Sequence, residues 1–141
     1  MENNTLLTFK STAKYNDTNE KDTIEFLTNA NLTQKNGKYY VSFRYPESYG
    51  DEGDKATLKI EDNKVTLLKY GESCTQFIFE QGKQHNGHYE TQFGSLSVGI
   101  FSENVSVSMD DLGGDIKLDY SIYFNDLATN HTNLSINLKK I

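Results

Sequence analysis

Arg44 is the single arginine of the chain, so every other permanently cationic side chain is lysine. It ends the run Tyr39-Tyr40-Val41-Ser42-Phe43-Arg44. On an extended strand it therefore shares one face with Tyr40 and Ser42, opposite Tyr39, Val41 and Phe43. Turned into an enclosed interior, its guanidinium would clamp a ligand carboxylate through two parallel hydrogen bonds. With a Tyr and a Glu to move a proton, the same placement would serve a lyase or isomerase. Strict alternation argues for the opposite orientation, in which the three larger apolar residues face inward and Arg44 faces water.

The remaining chemistry-bearing side chains give weaker signals. His85 and His88 stand three residues apart, His85 within the stretch Gly82 to Gly87 that reads as a wide loop, and His131 is distant in sequence. A loop does not aim two imidazoles at one point as a helix turn does, so they read as solvated, and no metal is expected. Cys74 has no neighbouring base or cation to lower its pKa and reads as a small strand residue rather than a nucleophile. The acidic clusters Asp51-Glu52-Gly53-Asp54 and Asp110-Asp111 lack the alternating ligand register of a calcium loop and read as solvated turns. No catalytic residue and no cofactor is assigned.

The aromatic set, Phe77, Phe79, Tyr89, Phe93 and Tyr120, is foremost core material, because a chain with nine Tyr and eight Phe must bury its rings somewhere. A wall of rings with a few hydroxyls among them is also what a pocket for an amphipathic small molecule requires. Arg44, Phe77, Tyr89, Phe93 and Tyr120 are thus the expected lining of an interior site.

These side chains must be positioned by strands. Phe9, Ser11, Ala13 and Tyr15 alternate with Lys10, Thr12 and Lys14, and Ile24, Phe26, Thr28, Ala30 and Leu32 with the polar residues between them. Asn36-Gly37 predicts a type I′ hairpin into the Tyr39 to Tyr45 strand, which Pro46 ends. Shorter alternating runs follow around Ala56 to Ile60, Val65 to Leu67 and Ser73 to Glu80. Between Gly71, Gly82 and Gly94 lie two hairpin-linked strands, with a third from Leu96 that is broken at Ser102-Glu103-Asn104 and resumes at Val105. Gly113-Gly114 reads as a turn into the clean amphipathic run Ile116 to Phe124. Asn125 to Thr132 reads as a loop before the last strand, Leu134 to Leu138. No stretch has helical periodicity.

Residues 1–141 suffice for one domain. Sequential strands with short turns predict an all-β, antiparallel up-and-down barrel of eight to ten strands with little or no helix, since closure removes exposed sheet edges. A formal charge of −6 and a pI near 5.0 disfavour nucleic acid. One cysteine and a polar N-terminus without an apolar stretch lead to the expectation of a cytoplasmic protein, and no run is long enough to insert in a membrane as a helix.

The order Gly71, Phe77, Gly82, then Tyr89-x-Thr91-x-Phe93-Gly94, then Leu118-Asp119-Tyr120 resembles the YwiB-like proteins, small bacterial lipocalin-like (calycin) β-barrels of unknown function. The resemblance extends upstream to the Tyr- and Phe-rich strand before Pro46-Glu47. Gln92 departs from it, standing where the family often has Pro. What the resemblance implies is a calycin barrel in a bacterial cytosol, with no catalytic residues to transfer. Three functions follow as expectations: binding of a small apolar or amphipathic ligand in the lumen without catalysis, the lyase or isomerase built on Arg44, and a homodimer formed through an external apolar patch.

Overall fold

The computed structural model describes residues 4–45, 55–70, 74–91, 94–125 and 127–141, with the backbone alone for 74, 75, 88–91, 95 and 96. The alternating runs form ten strands: β1 Thr5–Tyr15, β2 Lys21–Lys35, β3 Lys38–Arg44, β4 Lys55–Ile60, β5 Lys64–Tyr70, β6 Cys74–Glu80, β7 Gln84–Thr91, β8 Gly94–Asp110, β9 Gly113–Phe124 and β10 Leu127–Lys140. All pair antiparallel, in the order β6-β5-β4-β3-β2-β1-β10-β9-β8-β7. The described residues contain no helix.

The first and last strands join the two halves of this meander, in register from Thr5 opposite Lys140 to Tyr15 opposite Asn130. The sheet thereby curls into a nearly closed barrel whose seam lies between β6 and β7. The turn chemistry accounts for that seam. Lys83 N–H bonds to Glu80 C=O at 3.0 Å, and of the two central residues only Gly82 has positive φ, +70°. A type I′ turn needs both central residues there, and turns without that twist splay the strands they join. At Asn36-Gly37, by contrast, φ is 55° and 77°, and β2 and β3 pair without a gap.

Side chains on one face of each strand fill the barrel. Leu7, Val41, Ile60, Val65, Ile116, Leu118, Ile136 and Leu138 are essentially inaccessible. Their alternation with polar residues is what a sheet with one wet face demands. Phe9 and Phe26, directly opposed on β1 and β2, stack at 4.6 Å between centroids, and the Tyr45 ring meets both edge-on at 6.1 and 5.6 Å. Each such ring pair contributes roughly 0.5–1.5 kcal/mol beyond its buried area.

Two side-chain amides complete ladders where the backbone cannot. β2 pairs β1 up to Ala30 and then passes to β3. At that departure Asn4 donates Nδ2–H to Leu32 C=O (3.0 Å) and accepts from Leu32 N–H (2.9 Å). Beside the seam, Gln81 donates Nε2–H to Glu103 C=O (2.9 Å) and accepts from Val105 N–H (2.6 Å). A carboxamide has the donor and acceptor of a peptide group, so each replaces one missing strand residue.

Several connections differ from the sequence expectation. The stretch expected as a wide loop around His85 is the start of β7, because the connection is only Gln81 to Lys83, with Gln81 and Gly82 at the centre of the turn. The polar break at Ser102-Glu103-Asn104 is a β-bulge inside one continuous β8, with Glu103 the extra residue between the pairs Ser102–Tyr120 and Asn104–Asp119. The loop expected up to Thr132 is mostly strand, since β10 begins at Leu127 and takes up Thr129 as a second bulge. The turn expected at Gly113-Gly114 is made by Asp111 and Leu112. The two glycines open β9, where a Cβ would collide with the Leu138 and Ser108 carbonyls. The acidic stretch from Asp51 to Asp54, Gly71 and Gln92 lie outside the described residues.

Candidate functional site

Inside the barrel, the apolar filling gives way to a polar row over three adjacent strands. Ser102 on β8 faces Tyr120 on β9, which in turn faces Thr132 on β10. Ser102 is wholly buried, Thr132 is 3% exposed and Asn130 is 9% exposed. Thr132 donates its hydroxyl to Asn130 Oδ1 at 3.3 Å. The Ser102 hydroxyl has no hydrogen-bond partner among the described residues. Such a group costs about 1–3 kcal/mol if left unmade, so natural interiors seldom carry one without a reason.

The ring of this row meets a second aromatic side chain, and other rings lie elsewhere in the interior. Tyr120 packs on Phe79 of β6 at 4.7 Å between centroids, bridging the interior toward the seam, and Phe77 is partly buried beside the core. The Tyr45 ring has Lys69 Nζ over its face at 4.9 Å. Burial pushes the Tyr45 phenol up to about 12, so it stays neutral at physiological pH.

The seam itself is spanned beside the turn by Glu80 on β6 and His85 on β7, with His85 Nε2 2.9 Å from Glu80 Oε1 and Lys83 Nζ 3.4 Å from Glu80 Oε2. The hydrogen bond from His85, then Lys83, holds the Glu80 carboxyl below its ordinary value against an opposing desolvation effect. Below it, the turn is fixed to the β8 bulge by Gly82 N–H to Ser102 C=O (2.8 Å) and Ser102 N–H to Lys83 C=O (3.2 Å).

The expected lining residues separate. Phe77 and Tyr120 face the interior. Tyr89 sits on β7 opposite Leu96, and Phe93 lies outside the described residues. Arg44 is corrected from the interior to the exterior: it is exposed on the outer face of β3, because Val41 and Phe43 take the inner positions. The lyase or isomerase chemistry that needed an interior guanidinium thus loses it. Sequence reading passed over Ser102, Thr132 and Asn130, which it had assigned to a break and a loop; the strict alternation of Val98, Ile100 and Ser102 was the available signal.

Among the described residues no cluster of three His, Cys, Asp or Glu could hold a metal ion. His131 does belong to a surface trio at the bulge, where Ser121 donates to Glu103 Oε1 at 2.6 Å and lies 3.2 Å from His131 Nδ1. The hydroxyl, not the imidazole, is central there, which is the reverse of a nucleophilic triad. Large apolar residues exposed to solvent, including Leu27, Leu112, Leu127 and Ile141, are divided between the outer wall and both barrel ends. No helix among the described residues is long and apolar enough to cross a membrane.

Fold and interior together define a ten-stranded antiparallel barrel with aromatic and hydroxyl-bearing side chains among its interior residues. The chain belongs to the family described as a domain of unknown function, DUF1934, whose profile matches residues 8–136. Its fold is similar to that of the crystal structure of ywiB protein from Bacillus subtilis, at 20% sequence identity and a TM-score of 0.83, over 99% of this chain and 92% of the other. No curated protein matches.

Proposed function

We propose that the protein binds a small amphipathic molecule inside the barrel, without catalysis. The observation that carries this reading is the buried Ser102 hydroxyl, which lacks a hydrogen-bond partner among the described residues beside the Tyr120 ring. A ligand hydroxyl or carbonyl reaching Ser102 would satisfy that group, while Phe77, Phe79 and Tyr120 would cover its apolar part. Thr132 and Asn130 add further hydrogen-bonding capacity next to it. The polar groups of the row are hydroxyls and a carboxamide, which hold a ligand but exchange protons poorly near neutral pH, and this favours binding over acid–base chemistry. The unladdered β6–β7 seam offers a way in that need not break a sheet hydrogen bond.

The test is native mass spectrometry of the full chain with a panel of fatty acids, fatty alcohols and aromatic carboxylates. The expected result is one molecule bound per chain, with affinity reduced several-fold in Ser102→Ala. Failure of every member of the panel to bind would overturn the reading.

A further inference from the structure

Ser102 belongs to an inward cross-strand row that runs through Tyr120 and Thr132 to Ala13 and Asp22. Its backbone N–H and C=O are both taken by the β6–β7 turn, through Lys83 and Gly82. Its wholly buried hydroxyl, by contrast, has no hydrogen-bond partner among the described residues. The head group that can lie against that hydroxyl is set by the charges around it.

Among the described residues, the inward positions that carry a charge or an imidazole are Asp22, Lys69, His85 and Lys140. Asp22 and Lys140 are exposed near strand ends, and Asp22 is four strands away along the row. Lys69 holds its Nζ 4.9 Å over the Tyr45 ring. It stands four residues along β5 from Val65, the neighbour of Phe79, a separation of about 13 Å. His85, opposite Ile100 and so close to Ser102 along β8, has Nε2 2.9 Å from Glu80 Oε1.

An anionic head group brought to Ser102 would thus find the nearby imidazole already taken by a carboxylate. A carboxylate moved from water into such surroundings is strongly disfavoured and takes up a proton instead. A hydroxyl has no charge to desolvate, and it has both the donor and the acceptor that the Ser102 O–H can answer. Thr132, whose proton goes to Asn130 Oδ1, keeps acceptor capacity on the same row.

We propose that the interior ligand is an uncharged amphiphile of the long-chain alcohol class, its hydroxyl on Ser102 and the adjoining carbons against Phe79 and Tyr120. This rests on the interior reading and narrows it, since fatty acids become poor ligands that bind only in their protonated form. A carboxyl that must be protonated to bind loses about tenfold in apparent affinity for each pH unit above its own pKa, and an alcohol has no such dependence.

The experiment is isothermal titration calorimetry of the full chain with 1-decanol and with decanoate, each at pH 6 and pH 8. One 1-decanol should bind per chain with the same affinity at both pH values. Decanoate should bind about a hundredfold more weakly at pH 8 than at pH 6. Ser102→Ala should weaken 1-decanol several-fold without lowering the melting temperature, because it removes an unmet buried polar group. Decanoate bound as tightly as 1-decanol at pH 8, or 1-decanol affinity unchanged in Ser102→Ala, would overturn the hydroxyl assignment and leave an interior site in place. Failure of both compounds together with the fatty acids, alcohols and aromatic carboxylates of the wider panel would instead overturn the interior reading beneath it.

Discussion

Tyr45 shows how one ring couples packing to protonation. It is held by Phe9, Phe26 and Phe43, and burial raises its phenol from 10.0 to about 12. Because the folded state favours the neutral form, the stability this provides is intact below pH 10 and is lost as pH rises through the folded value. Denaturant midpoints should therefore fall between about pH 10 and 12, with a shallower fall in Tyr45→Phe. Gly113 is a different case, in which the backbone sets the requirement. Its φ is +124° and a Cβ would strike the Leu138 carbonyl of β10, so Gly113→Ala should destabilise the fold by at least about 1 kcal/mol in chemical denaturation.

At the level of the strands, the amide of Gln81 does what a paired residue would do. It satisfies the Glu103 carbonyl and the Val105 amide across the β8 bulge. Gln81→Leu retains the approximate size but removes both the donor to Glu103 C=O and the acceptor for Val105 N–H. Unfolding free energy should drop by about 1–3 kcal/mol, and the Val105 amide should exchange faster with solvent than in the parent chain. Unchanged exchange at Val105 would show that the bulge closes without Gln81. The bulge also explains how β8 can run from Gly94 to Asp110 without a break: the extra residue restores inward alternation, so Ser102 and Val105 are both buried.

Across the whole barrel, stability should follow the hydrogen-bond order of the sheet. β1 is paired on both sides, by β10 and β2, whereas β6 and β7 each have one ladder neighbour. Native-state amide exchange should be slowest in β1, β9 and β10 and fastest for the β6 and β7 amides that point into the seam. A seam as protected as the β1–β10 junction would contradict both the splayed turn and the entrance proposed for an interior ligand.

The strand content and the meander were legible in the sequence because both depend on local rules. Period-two alternation in Phe9 to Tyr15 and Ile116 to Phe124 identifies a strand whatever it packs against, and Asn36-Gly37 fixes its hairpin through the φ values those residues tolerate. The resemblance to the YwiB-like proteins agreed with the family, though its landmarks Gly71, Gln92 and Phe93 fall outside the described residues. What the chain could not declare locally was where ladders stop and which face an isolated polar residue takes. Ser102, Glu103 and Asn104 look like a loop until Tyr120 and Asp119 are placed opposite them, when they become a bulge with one buried hydroxyl. For Arg44 alternation argued outward while an interior clamp required it inward, and the inward packing of Val41 and Phe43 decided for the outer face. Alternation is a property of neighbouring residues, whereas closure, seam and side-chain surroundings are set by strands as distant in sequence as those that pair Thr5 with Lys140, so only the folded barrel could fix them.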